Sequence, residues 1–471
     1  MNKFLIVVVL GLCFSLGYSQ ESSMSLSLQE AIDYALENNR TAKNAAREIE
    51  AAEKQKWETT ATGLPQISAN IDYQNFLKQQ VSLLPAAAFD PLSGIRELEE
   101  YYDLDPLQTQ ELPDAPEGFI PVTFGTEQTM VASATLNQLI FDGSYLVGLQ
   151  SAKVFLDISK NAKTKTDLEV RKAVINAYGN VLLAEESVKI LERNIAVLQK
   201  NLDETTKIYE NGLEEEESVE QLQITLSGVQ SNLNNTERLK TLAYQMLNIT
   251  LGLDINNNTI LTDNLESLTD QNIVISLLEA DENVESIIDY QIAENDKISK
   301  ELLLKLEKSK ALPTLSAFLN ASYNGNSNSF TFLDRDQRWF GASVVGVSMS
   351  IPIFSSLGRT AATQRAKINL DKAEDELIET EQKIKLQIAT AKSDYKFAIE
   401  DYENKKQNLN LAERIEQKNQ TKFFEGIASS FELRQAQTQL YTAQQEFLQA
   451  MLDVINKKAE LETTLNQIPQ N

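Results

Sequence analysis

Between Val170 and Tyr209 the chain repeats apolar residues in alternate steps of four and three: Val170, Val174, Ala177, Val181, Ala184, Val188, Leu191, Ile195, Leu198, Leu202, Thr205 and Tyr209. Thr205 is the only polar member before the closing tyrosine. A 3.5-residue period keeps one narrow stripe of a helix turned toward a neighbour along its whole length, the geometry of supercoiled packing. A helix of this kind cannot stand alone. The same stepping returns at Ile384, Ile388, Ala391, Tyr395, Ala398 and Tyr402, and again at Leu433, Ala436, Leu440, Ala443, Phe447, Ala450 and Val454. These heptad seams are read as core packing, and they require at least three helices to pack along one another.

Prolines set the limits of those helices, because proline breaks a helix interior. They stand at 65, 85, 91, 106, 113, 116, 121, 313, 352 and 469, which leaves the tracts 122–312 and 353–468 free of them. A first helix is expected from Leu26 to Thr60, opened by Ser27 with Glu30 in a capping-box spacing and closed near Gly63 and Pro65. The period then changes to two. Ile67, Ala69, Ile71 and Tyr73 alternate with Ser68, Asn70, Asp72 and Gln74, the pattern of a strand with one apolar and one polar face. Residues 75–125 hold most of the prolines and the acids Glu97, Glu99, Glu100, Asp103 and Asp105, and are expected to form a long irregular insertion. A second strand follows from Thr129 to Asn137. A helix from about 144 to 211, near 70 residues, would be roughly 100 Å long. Another is expected over about 218–251, and 252–283 reads as a short segment of mixed structure.

The pattern then repeats. Leu64-Pro65-Gln66-Ile67-Ser68-Ala69 matches Leu312-Pro313-Thr314-Leu315-Ser316-Ala317, 248 residues on. Phe141 matches Phe354 and Tyr209-x-x-Gly212 matches Phe423-x-x-Gly426, at offsets of 213 and 214. The first half therefore carries about 35 extra residues between its strands. The expected organisation is a signal at 1–19, repeat one over 20–251, the mixed segment, repeat two over 284–466 and a tail at 467–471. In repeat two the strands are placed near 314–325 and 338–353, and the helices near 357–424 and 430–466.

Met1 to Ser19 reads as an export signal: Lys3, an apolar run from Phe4 to Leu12, then small residues at Gly17 and Ser19. Lipidation of Cys13 is not expected, since Leu12 stands where a lipoprotein signal wants a small residue. The chain has no histidine and this single cysteine, so the usual zinc ligands and the commonest general base are absent. A formal charge of −25, one unit more negative without Lys3, opposes nucleic-acid binding. No Gly-x-x-x-x-Gly-Lys-Ser/Thr run for nucleotide phosphates occurs. No catalytic residue, cofactor or metal site is expected. Beyond the signal no run approaches the roughly 20 apolar residues of a membrane-spanning helix, so any crossing would be made by strands.

In this order and repeated twice, the Leu-Pro-x-Ile/Leu-Ser entries at 64 and 312, the exits Leu139-Ile140-Phe141-Asp142-Gly143 and Ile351-Pro352-Ile353-Phe354, and the aromatic-x-x-Gly turns resemble the TolC-like outer-membrane efflux factors. The resemblance runs from about Leu28 to Leu465. It implies a mixed α and transmembrane-β chain that forms a homotrimer. Each protomer would give four strands to one 12-stranded β-barrel in outer-membrane lipid, continued by a long periplasmic α-helical barrel. It also implies a passive duct of a tripartite efflux or type I secretion system, working with a periplasmic adaptor (membrane fusion) protein and an inner-membrane pump. The strand pattern agrees independently: four strands leave sheet edges that a bilayer does not tolerate, whereas three copies supply twelve. Ser68, Asn70, Asp72, Ser133, Asn137, Asn320 and Ser322 would line water, and Tyr73, Tyr323 and Trp339 suit the interfacial belt.

By the same resemblance, the adaptor-docking turns fall on Gly212, Leu213, Gly426 and Ile427, and the periplasmic gate positions on Glu432 and Gln435. Gln435 departs from the acidic family pattern. Glu214, Glu215, Glu216, Glu217 and Glu220 cluster after the first glycine and would gather carboxylates near a trimer axis, favouring cations. The plainer reading of that run, a solvated helix start favoured by the helix dipole, stands beside it. A secreted coiled-coil scaffold without a pore is the alternative for the whole chain; it explains the heptads but not the duplicated strands.

Overall fold

The computed structural model describes residues 24–102, 114–280 and 283–466. The signal, Cys13, Asp103, Asp105 and the 467–471 tail lie outside the described residues. In chain order the principal elements are β1 (Met24–Leu26), α1 (Leu28–Asn38), α2 (Arg40–Ala61), β2 (Gln66–Asn75), β3 (Val81–Pro85), α3 (Ser93–Tyr102), β4 (Phe119–Thr123), β5 (Gln128–Phe141), α4 (Gly143–Glu210) and α5 (Glu216–Leu251). There follow β6 (Thr259–Leu261), α6 (Leu265–Gln271), α7 (Ile288–Ser309), β7 (Thr314–Ser327), β8 (Trp339–Ser350), α8 (Gly358–Phe424) and α9 (Ser430–Thr464). The chain divides into two compact units, one of Met1–Trp57, Gln150–Lys305 and Thr360–Asn471, the other of Glu58–Leu149 and Leu306–Arg359.

The second unit is built on an antiparallel sheet of order β2-β5-β7-β8. Its register aligns side chains in rows. Ile71, Ala132, Tyr323 and Gly341 form one row, and Ile67, Leu136, Leu319 and Val345 another, all on one face. On the opposite face Ser68, Thr135, Asn320 and Val344 align, as do Asn70, Ser133, Ser322 and Ala342. Period-two alternation thus yields one apolar and one mostly polar face, with every water-facing residue named from the sequence on the polar side. Asn320 donates to Thr135 Oγ1 across that face at 2.6 Å. Strands β2 and β8 form the two edges, and every residue of β2 is exposed. At one end Tyr73, Phe330, Phe332 and Trp339 form a chain of edge and tilted ring contacts at 5.6–6.3 Å.

Two local expectations are corrected here. The first helix is broken at Asn39, whose backbone is extended (φ −57°, ψ 135°). Its side-chain oxygen accepts from Thr41 N at 2.7 Å to start α2, while its amide donates to Thr250 O at 2.7 Å. Leu26, the first residue of the expected helix, instead closes the strand Met24–Leu26, which runs parallel to β6. The insertion is not irregular: β3 and β4 pair antiparallel, and α3 lies between them in sequence.

In the helical unit the seams are buried much as their period requires. Val174, Val181, Ile388, Tyr395, Tyr402 and Val454 are fully enclosed in one core that also takes in α1, β1, α6 and the ends of α5 and α9. Tyr395 hydroxyl donates to Asn272 O at 2.6 Å and accepts from Val274 N at 2.8 Å, fixing the segment after α6. Among the described residues no helix is long and apolar enough to cross a membrane.

Candidate gate and docking tip

Helices α4 and α5 are joined at Gly212, and α8 and α9 at Gly426. The two turns are alike in detail. Gly212 has φ +75° and Gly426 φ +72°. Gly212 N donates to Tyr209 O at 2.7 Å and Leu213 N to Ile208 O at 3.1 Å; Gly426 N donates to Phe423 O at 3.0 Å and Ile427 N to Lys422 O at 2.8 Å. This is a left-handed C-cap that satisfies the last helical carbonyls. A Cβ at either glycine would meet nothing within 4 Å, so backbone conformation rather than space calls for glycine. The residue after each glycine is a bare apolar knob, with Leu213 79% and Ile427 70% exposed.

The predicted gate residues divide by what they touch. Glu432 closes a capping box on α9: its amide donates to Ser429 Oγ at 3.3 Å and its carboxylate accepts from Ser429 N at 2.8 Å. The Ser429 N–H, and with it the Ser429 hydroxyl 3.2 Å from the same oxygen, hold the carboxyl below the ordinary range. Gln435, one turn on, is exposed. In the first hairpin Glu214 accepts from Ser218 Oγ at 2.6 Å and Glu217 from Gln221 Nε2 at 2.7 Å. Glu215, Glu216, Glu217 and Glu220 are exposed, and Glu216 and Glu217 lie in the first turn of α5, where the helix dipole favours them.

The hairpins are tied to each other by polar groups, mostly uncharged, that sequence reasoning missed. The hydroxyls of Ser218 and Ser430 share a hydrogen bond at 2.9 Å, in which Ser430 is the donor because the Ser218 proton is given to Glu214; Arg434 reaches Gln221 Oε1, Asn194 Nδ2 donates to Gln444 Oε1 at 2.9 Å, and Gln420 Nε2 to Asn201 Oδ1 at 3.0 Å. Arg434 also lies over the Phe431 ring, 5.4 Å from its centroid. Among the described residues no group of His, Cys, Asp and Glu could hold a metal ion.

The family model of the outer membrane efflux protein matches residues 107–253 and 303–467. The fold is similar to CusC, at TM-score 0.71 and 16% identity over 96% of each chain. It is similar to the outer-membrane protein VceC of Vibrio cholerae, at 0.67 and 14% over 93% of this chain and 96% of that one. It is also similar to the CmeC outer-membrane channel of Campylobacter jejuni, at 0.68 and 16% over 96% and 90%. No curated protein matches the chain in sequence. The matched segments span most of both repeats, including β5, β7, β8 and the four helices of the two hairpins, and on that ground the chain belongs to the outer membrane efflux protein family.

Proposed function

We propose that this outer-membrane protein is a passive exit duct made by three copies of the chain, gated at its hairpin tip. One observation carries the reading: a four-stranded sheet, apolar on one face and polar on the other, with both edge strands unpaired. Unpaired backbone groups at an edge cost several kcal/mol each in hydrocarbon, so the sheet has to close on further copies. Strands of 10 to 14 residues are long enough to cross a bilayer at a tilt. Three copies give a 12-stranded barrel whose polar face lines water.

Energy comes from elsewhere, since the chain has no nucleotide-binding motif. The exposed knobs Leu213 and Ile427 suit docking by a periplasmic adaptor that links the duct to an inner-membrane pump, for small molecules or for polypeptides. Opening requires only a change in helix packing at the tip. Detergent extraction of the outer membrane should yield a trimer that conducts ions in planar bilayers; a soluble, non-conducting monomer would overturn the reading. Gating is tested separately by Gln435→Cys in a chain whose only native cysteine is Cys13. Cross-linking of the new thiols with a bifunctional reagent should close the pore, and currents indifferent to the reagent would refute a gate at this level.

A further inference from the structure

The seam between the two hairpins changes character along its length. Where Val174, Val181 and Tyr178 meet the core it is apolar, and ion pairs cross it at its edge, Arg171 to Glu462 at 3.1 Å and Lys172 to Glu460 at 3.4 Å. From Asn194 toward the turns, no ion pair joins the hairpins among the described residues, and the ties run between amides and hydroxyls, apart from the Arg434 guanidinium, whose partner is the neutral Gln221 amide.

One of these ties is repeated in the sequence and made only once. Lys172 meets Glu460 and Asn194 meets Gln444, so α4 and α9 run antiparallel. One heptad closer to the turns on each helix stand Asn201 and Gln437, another asparagine facing another glutamine position by the same register. Asn201 is 0% and Gln437 1% exposed. Asn201 Nδ2 and both polar atoms of Gln437 are nonetheless without a hydrogen-bond partner, although the Asn194 and Gln444 amides are bonded. Burying amide atoms without partners forfeits their hydrogen bonds to water with nothing in return, and apolar knobs of the kind used elsewhere in the seam would avoid that cost. The Gln437 side chain lies beside the half-buried carboxyl of Glu416 on α8 without forming a well-shaped hydrogen bond to it; burial raises that carboxyl above its ordinary pKa, which the neighbouring amide only partly offsets, and burial together with the Glu416 charge raises Tyr441 on α9.

We propose that Asn201 and Gln437 are positioning residues whose mutual hydrogen bond is unmade in the present arrangement and forms when the tip takes up its other arrangement. The pair biases a two-state packing: the unpaired amides disfavour the present register, and their bond stabilises the alternative. This rests on the gated-tip reading, and it adds the residues that set the balance.

The test uses the full-length trimer in planar bilayers with thermal unfolding alongside. Gln437→Met keeps length and removes both unpaired atoms. The fraction of time open should fall about five- to tenfold, the size of one buried hydrogen bond, while thermal stability is unchanged or raised. Asn201→Leu should do the same to opening. The exchange Asn201→Gln with Gln437→Asn keeps one amide on each helix and should restore opening. Unchanged opening in Gln437→Met and Asn201→Leu, or a loss of opening that the exchange does not restore, would overturn the proposal. If cross-linked Gln435→Cys closes the pore while these variants leave opening alone, the gate stands and the pair does not; if cross-linking has no effect, the gate itself fails.

Discussion

The hydroxyl of Tyr178 lies 2.9 Å from Asp263 Oδ2 and 3.0 Å from Leu26 O, at the point where α4 passes the parallel strands β1 and β6. The same carboxylate oxygen accepts from Leu28 N at 2.7 Å. One buried phenol thus joins the long seam helix to the start of the described chain and to the segment after α5. Tyr178→Phe keeps the ring and removes the phenolic hydroxyl, leaving the Asp263 carboxylate and the Leu26 carbonyl short of a donor in a buried place. A loss of about 1–3 kcal/mol is expected, read as a lower unfolding midpoint with little change in conductance.

What the sequence made legible follows from periodicity. Ile388, Tyr395 and Val454 announce their burial because an apolar residue every 3.5 positions has no other use. Asn194, Asn201 and Gln437 are buried as well but read as surface, since amides carry no apolar signal and their pairing depends on register across helices distant in sequence. Asn39 interrupts a well-patterned helix for a local reason, its side chain competing for the amides of the next turn. Glu432 is more instructive. Ser27-x-x-Glu30 is legible as a capping box, and Ser429-x-x-Glu432 has the identical spacing, yet family position drew attention to a gate and away from the cap.

That double role makes a prediction. The carboxyl of Glu432 is held below its ordinary value of 4.5, so its stabilising contribution is present above that value and is lost as pH falls through the lower, folded-state pKa. Glu432→Gln keeps a capping side chain and removes the charge, whereas Glu432→Ala removes both. If the charge gates, both variants raise basal conductance or weaken cation block. If Glu432 is a cap alone, only the alanine variant changes, through a less stable start of α9, and unchanged currents and block in both would retire the gate assignment.

The turns are expected to behave as a matched pair. Gly212→Ala and Gly426→Ala each force a side chain into a left-handed backbone, at a cost of about 1 kcal/mol. Leu213→Ser and Ile427→Ser should leave the turns intact and affect only docking. Each exposed knob is worth about 1.5–3 kcal/mol if fully buried by a partner, a tenfold or greater loss of affinity. On the proposed duct reading, titrating the purified protein with periplasmic adaptors of the same cell would show it, and full affinity in both serine variants would move the docking site elsewhere.

In the sheet, a Cβ placed on Gly346 would fall 2.6 Å from Phe318 Cζ, because the ring lies across its cross-strand partner. Gly346→Val therefore has to expel the ring from that position. Overpacking of this kind costs about 1–3 kcal/mol, and the unfolding temperature of the purified protein in detergent should fall. Gly346→Val with Phe318→Ala should recover most of the loss, which separates steric conflict from a general weakness of valine there.

The acids after the first turn allow the duct reading and the plain helix-start reading to be told apart. Glu215, Glu216, Glu217 and Glu220 are exposed in a single protomer, and the helix dipole alone accounts for acids in the first turn of α5. In three copies meeting round an axis the same residues would form rings of carboxylates in a narrow, water-filled passage, where like charges concentrate cations and exclude anions. Replacing Glu214, Glu215, Glu216, Glu217 and Glu220 by glutamine keeps their size and removes the charge. In the ring arrangement the cation preference, measured as a reversal potential across a salt gradient, should shift toward zero, and block by divalent cations should weaken. In the solvated arrangement both stay at the wild-type level while the start of α5 loses a little stability, because the dipole no longer has charges to complement. A large electrical effect with no thermal effect places the carboxylates beside the permeating ions; the reverse places them in bulk water, with the passage lined by other residues.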